Sequence, residues 1–170
     1  MPTIHRRASL VLALGLALSP AAFAQSVDQA LEQARALEAE SKFAQVIDVL
    51  APHREAGRPE VDYALAYAHL NRQLQGAATA TAAEDYAQAL RLANRAAEKD
   101  HGPSLYLLSL IHGNGWGVPA DAAQSRAFLE RAAKAGDVVA RADYAVMLYQ
   151  GRPGLPRDVA TACALFAEVL

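Results

Sequence analysis

The chain has 170 residues, of which 53% are hydrophobic and 6% are aromatic. Because much of the hydrophobic content is alanine, this composition favours closely packed helices over sheets. The formal net charge is −2 and the sequence has no block of Lys or Arg. Nucleic-acid binding is therefore disfavoured, because displacing counterions from phosphates requires clustered cations.

The first 24 residues have the layout of a secretory signal peptide. Arg6 and Arg7 precede an uncharged run, residues 8–18, that is too short to span a bilayer. In residues 22–24, Ala22 and Ala24 then place small side chains three residues and one residue before the expected cleavage site. A buried or amphipathic helix is the alternative, but Ser9 is the only polar side chain in the run. We expect cleavage after Ala24, export, and a mature chain with no stable membrane insertion.

Three helices are predicted between residues 25 and 83. Apolar residues recur at helical spacing over residues 26–40, where Ser26 and Gln29 have the spacing of a capping box. A second helix over residues 43–50 is ended by Pro52, and a third is expected over residues 61–74 after a polar loop. The low-complexity stretch 76–83 is expected to be a relaxed connection, because Thr81 and Glu84 again have capping-box spacing.

One helical pattern recurs three times in the second half of the chain. Asp85, Asp121 and Asp158 stand 36 and 37 residues apart, and each precedes small and large apolar residues at fixed offsets. The position seven residues after each aspartate is large: Leu92, Phe128 and Leu165. This period fits a helix-turn-helix repeat, with the aspartates at helix starts and the large residues buried. Helices are predicted over residues 85–99, 103–112, 121–134, 138–150 and from 158 onwards, and no strand pattern competes.

The stretch LSLIHGNGWGVPAD, residues 108–121, resembles the Sel-one-like repeat, a relative of the tetratricopeptide repeat. The matching residues are Leu108, Gly115, Gly117, Val118 and Asp121, whereas Ser109 and His112 replace the usual Gly and Tyr. The resemblance covers residues 84–170, with the last repeat incomplete, and residues 25–83 are similar to degenerate tetratricopeptide helices. It implies an all-α fold, a right-handed superhelix of helix pairs, and a role in holding other proteins rather than a reaction.

No residue pattern indicates a catalytic site, a cofactor or a metal. The histidines after the leader, His53, His69, His101 and His112, lack metal-ligand spacing. The glycine-rich loop at 113–117 follows a helix and lacks the Lys-Ser/Thr of a phosphate-binding loop, so positive φ angles explain it better. Cys163 is the only cysteine and is expected to be a small buried residue; an intermolecular disulfide would require an exposed last helix.

The side chains expected to bind a partner lie mostly on the first helix of each repeat, which should line a concave groove. These candidates are Tyr63, Tyr67, Tyr106, Arg141 and Tyr149. Trp116, in the glycine-rich loop, is a further candidate, although packing over a neighbouring repeat is favoured. Phe166 is a candidate because the last helix is expected to leave apolar surface open.

The sequence thus predicts a non-enzymatic adaptor or regulator that binds a protein or peptide. Proteins that combine this repeat with a signal peptide are similar to envelope regulators and assembly factors of Gram-negative bacteria, which implies the periplasm. Two alternatives stay open. One is a cell-wall or β-lactam hydrolase-like enzyme, although paired cysteines and an S-x-x-K nucleophile are missing. The other is a structural subunit that self-associates through its last helix.

Overall fold

The computed structural model describes residues 25–75, 82–152 and 154–169. In these ranges it contains the helices α1 (Val27–Ala39), α2 (Phe43–Leu50), α3 (Pro59–Leu74), α4 (Ala82–Ala97), α5 (Gly102–Asn114), α6 (Ala122–Lys134), α7 (Val138–Gln150) and α8 (Val159–Ala167). A 3₁₀ turn, Ala51–His53, follows α2, and the described residues form no strand beyond an isolated bridge between Arg152 and Leu155. The predicted signal peptide and the predicted cap at Thr81 lie outside the described residues.

Polar side chains fix the starts of several helices. Ser26 and Gln29 form the predicted capping box, with hydrogen bonds of 3.2 and 3.0 Å between each side chain and the other's backbone N–H. Asp121 accepts two backbone N–H bonds of 2.9 and 3.0 Å at the start of α6, and Asp158 accepts one of 3.0 Å at the start of α8. These bonds satisfy N–H groups that have no partner within a helix.

The prediction that Asp85 caps a helix start is wrong. The helix α4 begins at Ala82, because Ala-Ala-Glu before the aspartate favours helix, so Asp85 lies inside the first turn. Its side chain turns to α3 and is 1% exposed. There the carboxylate accepts a 3.0 Å bond from Arg72 Nε, bonds with His69 Nδ1 at 2.7 Å and accepts a further bond from Gln73.

The helices stack as consecutive pairs. Each second helix packs on the first helix of its own pair and, from α2 to α6, also on the first helix of the next pair. The first helices α1, α3, α5 and α7 also contact one another in sequence, more extensively than the second helices do. The chain is therefore an all-α helical-repeat solenoid that curves with its first helices on the inside.

Small and large residues alternate in the core between the helices. Leu65, Leu105 and Leu108 are fully buried, and each such burial contributes about 1.5–3 kcal/mol. Ala89 and Ala132 are also fully buried, so small side chains fill part of the space between the helices. The alanine-rich composition is thus explained by helix packing.

Burial at the repeated large position decreases along the chain. Leu92 is 3% exposed, whereas Phe128 and Leu165 are half-buried, although all three lie on the same face of their helices. The helix α8 packs mainly on α7, whereas α4 and α6 each pack on two first helices, which accounts for the exposure of Leu165 but not for that of Phe128, whose ring stacks on His112. For the same reason the prediction that Cys163 is buried is wrong: it is exposed, on the face of α8 turned away from Ala162.

Candidate partner-binding groove

The helices α3, α5 and α7 can be aligned with one another on one buried small residue in each. Ala66, Ser109 and Ala145 are 0%, 3% and 0% exposed, so each lies on the packed face of its helix. Residues at the same distance from these three positions therefore lie side by side on neighbouring helices. The hydrogen bond from Tyr106 Oη to Asp143 Oδ2, 2.8 Å long, joins α5 to α7 on this wall.

Three rows of side chains on this wall form what we call the inner groove. The rows are Glu60, Pro103 and Val139; Tyr63, Tyr106 and Ala142; and Tyr67, Leu110 and Val146. Positions three or four residues apart share one helix face, so each helix presents one stripe to the groove. The groove thus runs across α3, α5 and α7 and is mostly apolar or aromatic.

Aromatic side chains form the α3 end of the inner groove. The rings of Tyr63 and Tyr67 stack with 5.9 Å between centroids, and the Tyr63 ring lies 5.6 Å from His101. Phe43 meets Tyr67 edge-on, also at 5.9 Å, which fixes the tyrosine pair against α2. Burial, with Tyr67, Glu38 and Asp137 nearby, raises the pKa of Tyr63 to about 12, so its hydroxyl stays protonated. Ring contacts therefore hold both tyrosines at this end of the groove, and the Tyr63 hydroxyl is available there as a hydrogen-bond donor.

Aliphatic side chains form the α7 end of the groove. Val139 and Val146 are 55% and 40% exposed, and they lie two helical turns apart on the same stripe. Beside them, burial and the hydrogen bond to Asp143 raise the pKa of Tyr106 to about 12. A partner that covers these valines would remove apolar surface from water without any change in the groove.

Arg141 and Tyr149 both lie on α7, the helix on which the sequence predicted them, and each contacts a residue beyond the end of that helix. Arg141 turns toward α8, where its guanidinium lies 3.5 Å from the Glu168 carboxylate. Tyr149 packs beside the Arg157 guanidinium, which lies 5.5 Å from its ring centroid, after α7. Tyr149 lies three residues after Val146 and therefore continues the groove stripe of α7, whereas Arg141 is turned toward α8. The role of both residues in partner binding stays a prediction.

Trp116 and Phe166, the other predicted partner residues, are half-buried. Trp116 packs against the hydrophobic core and the loop that carries it lies on α4. Gly117 has φ +73° and approaches so closely that an added Cβ would lie 2.4 Å from the Tyr86 Cβ. This contact holds the loop and its indole against α4, away from the groove. Phe166 lies on α8, also outside the groove.

Sequence reasoning did not single out Glu38, Glu60, Val139 or Val146 as site residues. The sequence carried a signal for the two valines, since they lie seven residues apart on one helix face and neither belongs to the buried face of α7. For Glu38 there was none. It lies on α1, and its proximity to α3 follows from how the two helices pack.

A buried polar cluster lies between α3 and α4 at the Asp85 carboxylate. Burial works to raise the pKa of Asp85, but hydrogen bonds from His69, Arg72 and Gln73 outweigh it and lower that pKa. Burial also lowers the pKa of His69, despite its bond to Asp85, so the imidazole is neutral near pH 7. This arrangement ties the two helices together.

Across residues 25–75, 82–152 and 154–169, no group of three or more His, Cys, Asp or Glu side chains could hold a metal ion, and no helix is long and apolar enough to cross a membrane.

Consecutive helix pairs stacked side by side are the architecture of tetratricopeptide-like helical-repeat proteins. The Sel1 repeat model matches residues 59–101, 102–137 and 138–168, which together make up most of the chain. The chain belongs to the Sel1 repeat family, as the resemblance implied. Proteins of this family are generally helical-repeat modules for protein interaction, and their fold is typically a non-enzymatic scaffold.

Two solved structures have a similar fold. A Sel1 repeat protein from Oxalobacter formigenes is 25% identical, with a TM-score of 0.59 over 73% of this chain and 34% of that chain. The protein c5321, a protective antigen present in uropathogenic Escherichia coli strains displaying an SLR fold, is 31% identical, with a TM-score of 0.58. That match covers 72% of this chain and 25% of the other, so this chain spans about a third and a quarter of these two relatives. No curated protein sequence matches the chain.

Proposed function

We propose that this protein is a periplasmic, non-enzymatic adaptor or regulator that holds a protein or peptide partner in the inner groove. The observation that carries the proposal is the exposed stripe of Val139 and Val146 beside Tyr106. Contiguous exposed apolar surface rimmed by polar groups is typical of protein interaction sites. The family supports the same class of function, since Sel1 repeats are generally interaction modules.

The geometry of the groove favours a helical or extended peptide segment. Val139 and Val146 lie about 10 Å apart along α7, at a rise of about 1.5 Å per residue. Anchors at this separation match one face of an amphipathic helix, which is a common way for a groove to bind a peptide. The stacked Tyr63–Tyr67 pair supplies rigid aromatic contact area at the other end.

A site-specific crosslinking experiment tests this proposal. A photoreactive amino acid at position 146 should capture a partner in the intact envelope, identified by mass spectrometry, and the same group at position 159 should not. Val159 is the matched control, since it is 38% exposed and lies on α8, outside the groove. Val146→Asp should abolish recovery of the partner from a tagged protein, whereas Val159→Asp should leave it unchanged. Equal recovery with both aspartate variants would refute the groove as the binding site.

Export follows from the pattern of residues 1–24 and needs its own test. Cell fractionation and N-terminal sequencing of the purified protein should find it in the periplasm and starting at Gln25.

The proposal includes no role in nucleic-acid binding, because the sequence lacks clustered cations. Self-association through α8 would appear as a dimer in sedimentation that is lost on Phe166→Asp. Hydrolysis of a cell-wall or β-lactam substrate, abolished by one polar substitution, would replace the adaptor proposal with the enzyme alternative.

A further inference from the structure

A cavity of about 210 Å³ lies at one end of the inner groove, where α1, α3 and the start of α5 meet. We call it the acidic pocket. Leu31 and Pro103 form apolar walls, and Glu38, Glu60 and Tyr63 supply polar groups. Sites for drug-sized ligands measure roughly 300–1,000 Å³. The acidic pocket is smaller, and its size suits one long side chain.

Glu38 is the unpaired carboxylate of this pocket. Within the described ranges it makes no ion pair and no side-chain hydrogen bond, and burial raises its pKa in spite of the nearby Arg35 charge. Glu60 differs, because it bonds its own backbone N–H at the start of α3 and accepts a 3.1 Å bond from Arg58, which lower its pKa. Glu60 is therefore ionised, whereas at Glu38 the Arg35 charge favours the ionised form but is outweighed by burial.

Two carboxylates outside the pocket wall act on its Tyr63 and His101 side chains. Asp137 lies close enough to raise the pKa of Tyr63, and Asp62 acts on His101 together with Glu60 and Asp137. Burial lowers the pKa of His101, so its ring is neutral near pH 7. Asp62 is itself paired with a guanidinium, since Arg95 Nε donates to it at 2.8 Å.

Among the residues that the structure describes, the positively charged side chain on the pocket wall is Arg35. It pairs with Glu32 at 3.2 Å, and its side chain is 69% exposed, so it extends toward water. The pocket wall therefore carries two carboxylates and one exposed guanidinium, and charge interactions at half-buried groups are stronger than in bulk water.

We propose that the acidic pocket holds the ammonium or guanidinium head of a Lys or Arg side chain from the peptide that occupies the inner groove. The cation lies between Glu38 and Glu60 and beside the Tyr63 ring, a contact that adds cation–π attraction. The same segment places apolar side chains on Val139 and Val146. This inference rests on the proposed function and specifies its partner as a segment with a basic residue at one end and apolar residues toward the other.

The test begins with selection of peptides from a random display library on the immobilised protein. The selected peptides should share a Lys or Arg at a fixed distance from apolar residues. One synthetic peptide of this set, and its version with norleucine in place of the basic residue, are then titrated against the protein by calorimetry. The norleucine version tests the role of the cation without any change in the protein.

Three protein variants separate charge from structure. Glu38→Gln should weaken the basic peptide about tenfold, as expected for a partly buried charge contact, and should leave the norleucine version unchanged. Arg35→Gln should strengthen the basic peptide, because it removes a repelling cation. Glu98→Gln, which removes an exposed carboxylate after the end of α4, should change neither peptide. Far-UV circular dichroism of each variant checks that the fold is intact.

The outcomes distinguish this inference from the proposed function. Selected peptides without a basic residue, whose binding is lost on Val146→Asp, would overturn the inference and leave the groove proposal standing. A selection that yields no peptide would overturn both. Free putrescine that binds as tightly as the basic peptide and depends on Glu38 would show a site for small amines and overturn the peptide assignment.

Discussion

Replacement of Asp85 by alanine tests whether the cluster between α3 and α4 holds the repeats together. The carboxylate is 1% exposed and is bonded to His69, Arg72 and Gln73. Asp85→Ala leaves these groups without their shared partner in a low-dielectric site. Removal of one member of a buried ion pair typically costs about 3–5 kcal/mol.

The expected loss is at the lower end of that range. The side chain of Arg72 is 33% exposed, so its guanidinium can turn to water when the carboxylate is removed, whereas His69 cannot. We expect Asp85→Ala to lower the free energy of unfolding by about 3 kcal/mol, a large part of the 5–15 kcal/mol typical of a domain.

Asp121→Ala is the matched control, because Asp121 holds the equivalent place in the repeat but caps a helix start at the surface. Urea unfolding followed by far-UV circular dichroism measures both variants, and equal slopes against urea show that the comparison is valid. The control should lose clearly less stability. A loss for Asp85→Ala below about 1 kcal/mol, or equal to that of Asp121→Ala, would refute the reasoning.

Two further predictions concern packing and pH. Leu129→Ala should lower the free energy of unfolding by about 3 kcal/mol and Phe128→Ala by about 2 kcal/mol in the same assay. The reason is that Leu129 is 7% exposed, whereas Phe128 is half-buried against His112. The reverse order would show that the interior face of α6 is misassigned. Burial lowers the pKa of His69 below the 6.5 of an exposed histidine, so the unfolded chain binds its proton more readily and stability should fall as pH drops through about 6.5. Between about pH 7 and pH 5, thermal unfolding should show a smaller loss of stability for His69→Asn than for the wild type. An equal dependence of stability on pH in the two proteins would contradict this. His101 shifts in the same direction, so part of the loss should remain.

Most of the helices could be predicted from the sequence because their signals are local. The capping box of Ser26 and Gln29, the caps at Asp121 and Asp158, and the apolar spacing between them require interactions over a few residues. The burial of Asp85 could not be predicted in this way. The same residue type at the same repeat position becomes a cap or a buried ion-pair partner according to where the helix begins and what the neighbouring helix presents.

The candidate site was predicted in part. Tyr63, Tyr67 and Tyr106 lie on the first helices α3 and α5, where the period places them. Arg141 and Tyr149 lie on α7, but the contacts of Arg141 with Glu168 and of Tyr149 with Arg157 depend on how α8 and its preceding loop pack, which no local pattern encodes. Whether any of these side chains contacts a partner is what the crosslinking and peptide experiments measure.

The sequence by itself determined that this protein is a row of Sel1-type helix pairs, because period, caps and small residues are properties of neighbouring positions along one chain. The tertiary structure decided which faces stay open and which charges stay unpaired. Glu38 on α1 meets Glu60 and Tyr63 on α3 only after the two helices pack, and Val146 is exposed because no described helix covers that stripe of α7. Contacts between residues far apart in the chain depend on the angle and distance between helices, and no local pattern encodes these.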